Sequence, residues 1–419
     1  MRKISKLSLV AAVAVAGFST ANAQPLEEAI KNVEVSGSVV YRYDNSNDDK
    51  KATGQSSEKN NYKIGLNLSS KVNDYVKFNS RFLVANENGG FADASSINNG
   101  APAGNGNTNG LDAKDGFDAN PDVSLSHAYF AFTGIQNTTV NVGKQGLATP
   151  WTVAIDSDGN EQTGTGILAL STVGPVTAAA GYFNQTNLNK SGNISGSNVA
   201  VAKNVTQIEP AGLSDGRNVG SRDIYVAALL ADFSPVKLEA WYLDMADTFD
   251  TYTLVAKANF APSSDSKIGL EARYVSLDLD QADSDNAMYR LAVTGNLGIF
   301  NAKVTYTGTD DEGGLTALDQ DAENATLGWN LTSNGVADAE HWQGVLGVNI
   351  LDNLNLSANY GHLKSSDLDY KAEEVYGQLT YKMSKNFSTY LRYGNFEEEL
   401  ASAKTKDQDA GRLQVEYTF

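Results

Sequence analysis

The chain has 419 residues and no cysteine, and 50 acidic against 32 basic side chains give a formal net charge of -18. Disulfides and thiolate metal sites are therefore excluded, and charge of this sign argues against nucleic acid as a partner while favouring cations and cationic solutes. Glycine (38) and tyrosine (19) are plentiful and proline (8) is scarce, a mixture expected of a barrel with a wet lumen and polar loops or of a large soluble sandwich.

At the amino terminus Arg2, Lys3 and Lys6 precede the apolar run Leu7 to Gly17, and small residues follow to Ala21-Asn22-Ala23. A basic segment, a short apolar core and an A-x-A site make a secretory signal peptide over residues 1–23. The run is too short for a spanning helix, and no apolar stretch of about 18 residues follows it. Cleavage after Ala23 leaves residues 24–419 as a single domain with a net charge of about -21, since three bases and no acids depart.

From Val33 onward the signal is period two. In "VEVSGSVVYRY", Val33, Val35, Gly37, Val39, Tyr41 and Tyr43 alternate with Glu34, Ser36, Ser38 and Arg42. "YKIGLNL" sets Tyr62, Ile64, Leu66 and Leu68 against Lys63, Gly65 and Asn67, and "VKFNSRFLV" sets Val76, Phe78 and Phe82 against Lys77, Asn79 and Arg81. Ile268, Leu270, Ala272 and Tyr274 later oppose Lys267, Glu271 and Arg273. Such alternation marks strands with one apolar and one polar face. In chain order it predicts strands near 33–43, 62–69, 75–85, 123–133, 138–143, 166–172, 176–183, 222–231, 236–243, 251–260, 267–277, 287–296, 299–308, 341–351, 354–364, 372–381, 387–396 and 411–419.

The connections take turns. Short ones such as 69–74, 134–137, 173–175 and 352–353 alternate with mostly long, acidic, Gly- and Asn-rich ones at 44–61, 86–122, 144–165, 184–221, 309–340 and 397–410. Short turns at one rim and loops at the other define an all-β fold: an antiparallel up-and-down transmembrane β-barrel of about 18 strands, with short periplasmic turns and long extracellular loops. Closure of the first strand on the last removes every unpaired edge, which lipid disfavours strongly. The apolar face then meets lipid and the polar face lines a lumen, with Tyr41, Tyr43, Tyr62, Tyr274, Tyr381 and Tyr393 suited to aromatic girdles.

Catalytic chemistry finds no constellation. His127, His341 and His362 are scattered, and no metalloprotease, nucleophile-elbow or P-loop motif occurs. A pore needs only charges at its narrowest point. The third long loop, 146–166, carries Asp156, Asp158 and Glu161 and is expected to fold inward as an acidic constriction. By parity Arg42, Arg81, Arg273, Arg290, Arg392 and Arg412 line the pore wall, and four of these, Arg42, Arg81, Arg392 and Arg412, form a patch near the closure seam. Acid facing base sets up a transverse field. "DSDGNE" (156–161) resembles the start of a calcium loop but lacks the downstream glutamate of an EF-hand. No cofactor is required, although clustered carboxylates in the lumen or loops suit Ca²⁺. The runs 310–312 and 319–323 are expected to face solvent.

"KLSLVAAVAVAGFSTANA" followed by "PLEEAIKNVEVSGSVVYRYD", with Gly143-Lys144-Gln145, Trp151 and Gly164-Thr165-Gly166, resembles the Campylobacter-type major outer membrane protein, a porin family of epsilonproteobacteria. The resemblance implies an 18-stranded barrel, a homotrimer, and cation-preferring diffusion of small hydrophilic solutes, with Asp156 and Glu161 at the eyelet. The aromatic ending with Tyr417 and Phe419 resembles the signal by which outer-membrane proteins are recognised by the barrel-assembly machinery. Three functions stay open: a general cation-selective porin, a substrate-specific channel, and a surface barrel acting as an adhesin.

Overall fold

The computed structural model describes residues 33–52, 54–85, 90–93, 122–189, 219–280 and 285–419. The signal segment 1–23 and much of the long connections 86–122 and 184–221 lie outside the described residues. The strands are β1 (Glu34–Asp48), β2 (Ser56–Lys71), β3 (Val76–Ala85), β4 (Ala92–Asp93), β5 (Asp122–Ile135), β6 (Thr138–Gly146), β7 (Thr163–Val173), β8 (Val176–Thr186), β9 (Ile224–Phe233), β10 (Val236–Met245), β11 (Phe249–Ser263), β12 (Ser266–Leu279), β13 (Asp285–Leu297), β14 (Phe300–Thr309), β15 (Ala339–Leu351), β16 (Leu354–Ser365), β17 (Tyr370–Lys382), β18 (Phe387–Leu400) and β19 (Ala403–Thr418). The two-residue β4 only bridges β2; the remaining strands are the eighteen staves of one closed antiparallel sheet.

Closure occurs where the period-two pattern placed it. β1 pairs with β19 from Ser38↔Thr418 to Asp48↔Gln408. Beyond the last register pair, Gly37 N–H donates to Phe419 O at 2.9 Å and Phe419 N–H returns to Gly37 O at 3.1 Å. Leu413, Tyr417 and Phe419 face outward and exposed, and Arg412, Gln414 and Glu416 face the lumen. A side chain at Gly37 would meet the Phe419 ring at 2.8 Å and also the Gly65 carbonyl. Gly37→Val is therefore expected to strain the seam by about 1–3 kcal/mol and to lower the fraction of heat-modifiable, folded barrel on cold gel electrophoresis. A parental folded fraction would show that the seam tolerates the methyl groups.

Every one of the eighteen expected strands is present, but most run further toward the loop rim. β1 continues to Asp48 and β2 begins at Ser56, because a strand crosses lipid in about 9–11 residues and above it both faces are wet. Alternation then fades while the hydrogen-bond ladder continues. The expected loop 397–410 is for the same reason a hairpin: β18 and β19 run on to a tight turn in which Ala401 and Ser402 take φ of 49° and 60°, the handedness a two-residue β-hairpin turn requires. Tyrosine pairs near the loop rim, Tyr41–Tyr62 at 5.0 Å and Tyr252–Tyr274 at 6.0 Å, lie on the outer wall.

Candidate functional site

The site starts with one carboxylate. The third loop, between β6 and β7, ends in Glu161, which is 2% exposed although it is charged. Arg81 on β3 grips it through Nε (3.0 Å to either oxygen) and Nη2 (2.8 Å). Lys63 on β2 adds an ion pair at 2.8 Å and Ser126 on β5 a hydrogen bond at 2.5 Å. Lys63 Nζ also donates to the Gly159 carbonyl. Burial pushes the Glu161 carboxyl up, yet the hydrogen bonds and charges of Arg81 and Lys63 outweigh it and hold the group below the usual carboxylate range. Fully satisfied, this network fixes the loop against the wall.

The loop tip is a compact turn. Asp156 accepts Asn160 N–H at 2.7 Å and Asn160 Nδ2 at 2.8 Å, and Gly159 supplies the left-handed backbone (φ 79°). Arg42 on β1 donates from Nη2 to the Ser157 carbonyl at 2.6 Å and lies 3.6 Å from Asp158, whose side chain remains 66% exposed.

A second loop folds in beside the first, which the sequence reading did not anticipate. The seventh loop, 310–338 between β14 and β15, hydrogen-bonds the third: Leu318 N–H to Trp151 O at 2.8 Å, Asn324 N–H to Pro150 O at 2.9 Å, and Gln162 Nε2 to Asp319 at 2.9 Å. Leu147, Trp151, Leu315 and Leu318 bury against wall residues such as Phe183, Met245, Phe249 and Leu277, so apolar packing fills the lumen on the β8–β12 side. Of the runs expected in solvent, Asp311 and Glu312 are exposed, but Asp319 is fully buried because its loop turns inward.

The wall anchors this loop too. Glu374 on β17 accepts the backbone N–H groups of Trp329, Asn330 and Leu331 at 2.7, 2.8 and 3.3 Å. Arg273 on β12 bonds Asn324 and pairs with Glu323, and Arg290 on β13 bonds the Ala325 carbonyl at 3.0 Å and pairs with Glu271 at 2.7 Å. Four of the six arginines read as pore wall are thus loop anchors: Arg42 and Arg81 for the third loop, Arg273 and Arg290 for the seventh. Arg392 and Arg412 stand apart beside the Trp329 ring. The opening left between the loops and the seam strands is a polar cavity of about 410 Å³ lined by Arg42, Asp44, Lys59, Asp158, Trp329 and Arg412 among others.

Asp156, Asp319 and Asp321 each bring an oxygen within 4.8 Å of the others. Burial first, then mutual repulsion, pushes Asp319 up to about 8, and burial, opposed by Asn160, pushes Asp156 up to about 6. An all-oxygen set of crowded carboxylates fits a hard divalent cation. Of the residues singled out from sequence, Asp156 belongs to this set, Asp158 faces the opening and Glu161 is an anchor. Sequence reasoning missed Ser126, Glu374, Asp319, Asp321 and Trp329. Only Glu374, an acid on the lumen parity of its strand, left a readable signal.

A family model, Campylobacter major outer membrane protein, matches residues 1–419, the whole chain. The chain belongs to that family. It is accordingly an outer-membrane porin-family barrel in contact with lipid. Solved structures with the same fold include Acinetobacter baumannii OccAB3 (TM-score 0.69, 12% identity, covering 93% of this chain and 99% of that one). Pseudomonas aeruginosa OpdQ (0.66, 16%, 94% and 99%) and Pseudomonas aeruginosa OccK2 (OpdF) in complex with glucuronate (0.66, 14%, 93% and 98%) are similar. At such identities the likeness concerns the fold. No curated protein sequence matches the chain.

Proposed function

We propose that this family member is a general diffusion porin: a water-filled channel passing small hydrophilic solutes and ions, with cation preference set at the third loop. The observation that carries it is an imbalance of exposure within the ion pairs that hold the loops. Arg42, Lys63, Arg81, Arg273 and Arg290 are engaged in ion pairs with carboxylates. The Asp158 and Glu323 side chains, partners of Arg42 and Arg273, remain 66% and 58% exposed while those two arginine side chains are 6% and 0% exposed, so the loops show the lumen the acidic side of each pair. Such a role needs no catalytic residue. Export by cleavage after Ala23, recognition of Tyr417 and Phe419 by the barrel-assembly machinery, and a homotrimer belong to the same reading. It is supported by the family and by the two terminal rings stacked at 5.9 Å on the outer face.

The reading also includes a Ca²⁺ ion held by Asp156, Asp319 and Asp321, where it would supply positive charge that locks the two loops together. Reversal potential in a planar bilayer under a KCl gradient tests the channel. The parent is expected to prefer K⁺, and Asp158→Asn with Glu323→Gln to lower that preference. Absent conductance or anion preference in the parent would overturn the reading.

A second reading, a substrate-specific channel, is favoured by one feature: the seventh loop and its apolar packing narrow the lumen beside the polar cavity on the seam side. Saturable flux of one solute class, against linear flux of all, separates the two.

A further inference from the structure

We infer that Arg392 and Arg412 form a binding step for small carboxylates inside the channel, a property that rests on the channel reading but is not required by it. The two arginines are direct cross-strand partners on β18 and β19, both on the lumen face. Like charges at opposed positions repel, so their pairing calls for compensation. What surrounds them compensates little. Arg392 has only the neutral Gln378 on its Nε, at 2.8 Å. Arg412 has Asp44 on its Nε, at 2.5 Å. Among the described residues, no hydrogen bond reaches an Nη atom of either guanidinium.

The pair is held in place. Both guanidiniums lean on the indole of Trp329, at 5.1 and 5.7 Å from its centroid, and Arg392 also lies 5.0 Å from the Tyr376 ring. Trp329 is itself positioned by Glu374, which takes its backbone N–H at 2.7 Å. Stacked guanidiniums keep their planar forks free at the edges. Two preorganised forks with unused donors, of which Arg412 lines a polar cavity together with Trp329 and Arg392 is its direct cross-strand neighbour, match the two coplanar oxygens of a carboxylate. Chloride, a single-atom anion, cannot engage a fork in two places. The arrangement therefore selects carboxylates without making the pore anion-selective, since Asp44 and Asp158 line the same cavity.

Single-channel recording of the full chain in KCl with succinate titrated into one side tests this, with extra KCl at equal ionic strength as control. Succinate is expected to reduce or interrupt the current in a saturating manner, and KCl is not. Arg392→Gln and Arg412→Gln are each expected to raise the half-blocking concentration by about tenfold or more, the loss of one charge-assisted pair of hydrogen bonds. Asp44→Asn, which removes the carboxylate competing for Arg412, should change it in the opposite direction, so the inference remains exposed even where an arginine variant fails to assemble. Normal KCl conductance with no saturating succinate effect, or an effect identical in all three variants, would overturn the binding step while leaving the porin reading intact. Absent KCl conductance would instead remove the channel itself.

Discussion

Glu161→Gln is expected to free the third loop from the barrel wall and to give larger, noisier single-channel currents than the parent. The carboxylate is the common partner of Arg81 and Lys63, which are themselves only 6% and 5% exposed. Removing its charge strands two buried cations, and breaking one side of a buried pair costs about 3–5 kcal/mol. A shift of that size changes the ratio of docked to undocked loop by about a hundredfold or more. Because Asp158 and Asp156 ride on the same loop, its cation preference should fall together with the steadier current. Arg81→Gln in the same chain should restore part of the quiet behaviour by removing one stranded charge, a coupling that a double-mutant cycle measures directly. Currents indistinguishable from the parent would mean that the seventh-loop contacts alone hold the constriction.

The second large effect is a dependence on pH and Ca²⁺ at the junction of the loops. Asp319, pushed up to about 8, and Asp156, pushed up to about 6, bind protons in the docked arrangement that an ordinary solvated carboxyl releases near ~4. A raised carboxyl stabilises the docked form fully below its free value and loses that contribution as pH rises through the docked value. Docking is therefore firmest near pH 4 and weakens through pH 6 to 8. The total change is on the order of several kcal/mol if both groups respond. Divalent cation takes over where protons leave: millimolar Ca²⁺ should quiet the channel and raise its melting temperature at pH 8 and do little at pH 5, and chelator should reverse this. Asp319→Asn should abolish the Ca²⁺ dependence and the pH dependence above about pH 6, leaving the smaller part that Asp156 contributes. Flat behaviour from pH 5 to 8, with and without Ca²⁺, would remove the three-carboxylate site from the account.

The fold was largely legible because the barrel imposes the simplest of patterns. A strand between lipid and water must alternate, as Val39, Tyr41 and Tyr43 do against Arg42, and the same rule located β12 through Tyr274 and Arg273. Legibility ended where the solvent changed. Asn45 to Asp48 and Lys404 to Gln408 belong to long strands, yet water on both faces left them looking like loop. In the site, the third loop could be singled out by its acids and its place after β6, but the roles within it could not. Glu161 and Asp158 are both acidic residues three apart, and one is an internal anchor and the other an open charge. The seventh loop carried acids of the same look at 310–312 and 319–323, of which only the second run folds into the junction.

Local alternation is enough to specify a closed, lipid-facing barrel, its strand order and its seam at Leu413 to Phe419, and the resemblance of the amino-terminal and third-loop segments points to the family. Which charges meet follows from the three-dimensional packing alone. Arg81 lies 80 positions from Glu161, Lys63 lies 98 from it, and Arg273 lies 50 from Glu323. Loops that fold into a lumen are held by such distant pairs. Their energies depend on burial and on distances of a few ångströms, quantities that no local pattern of residues encodes.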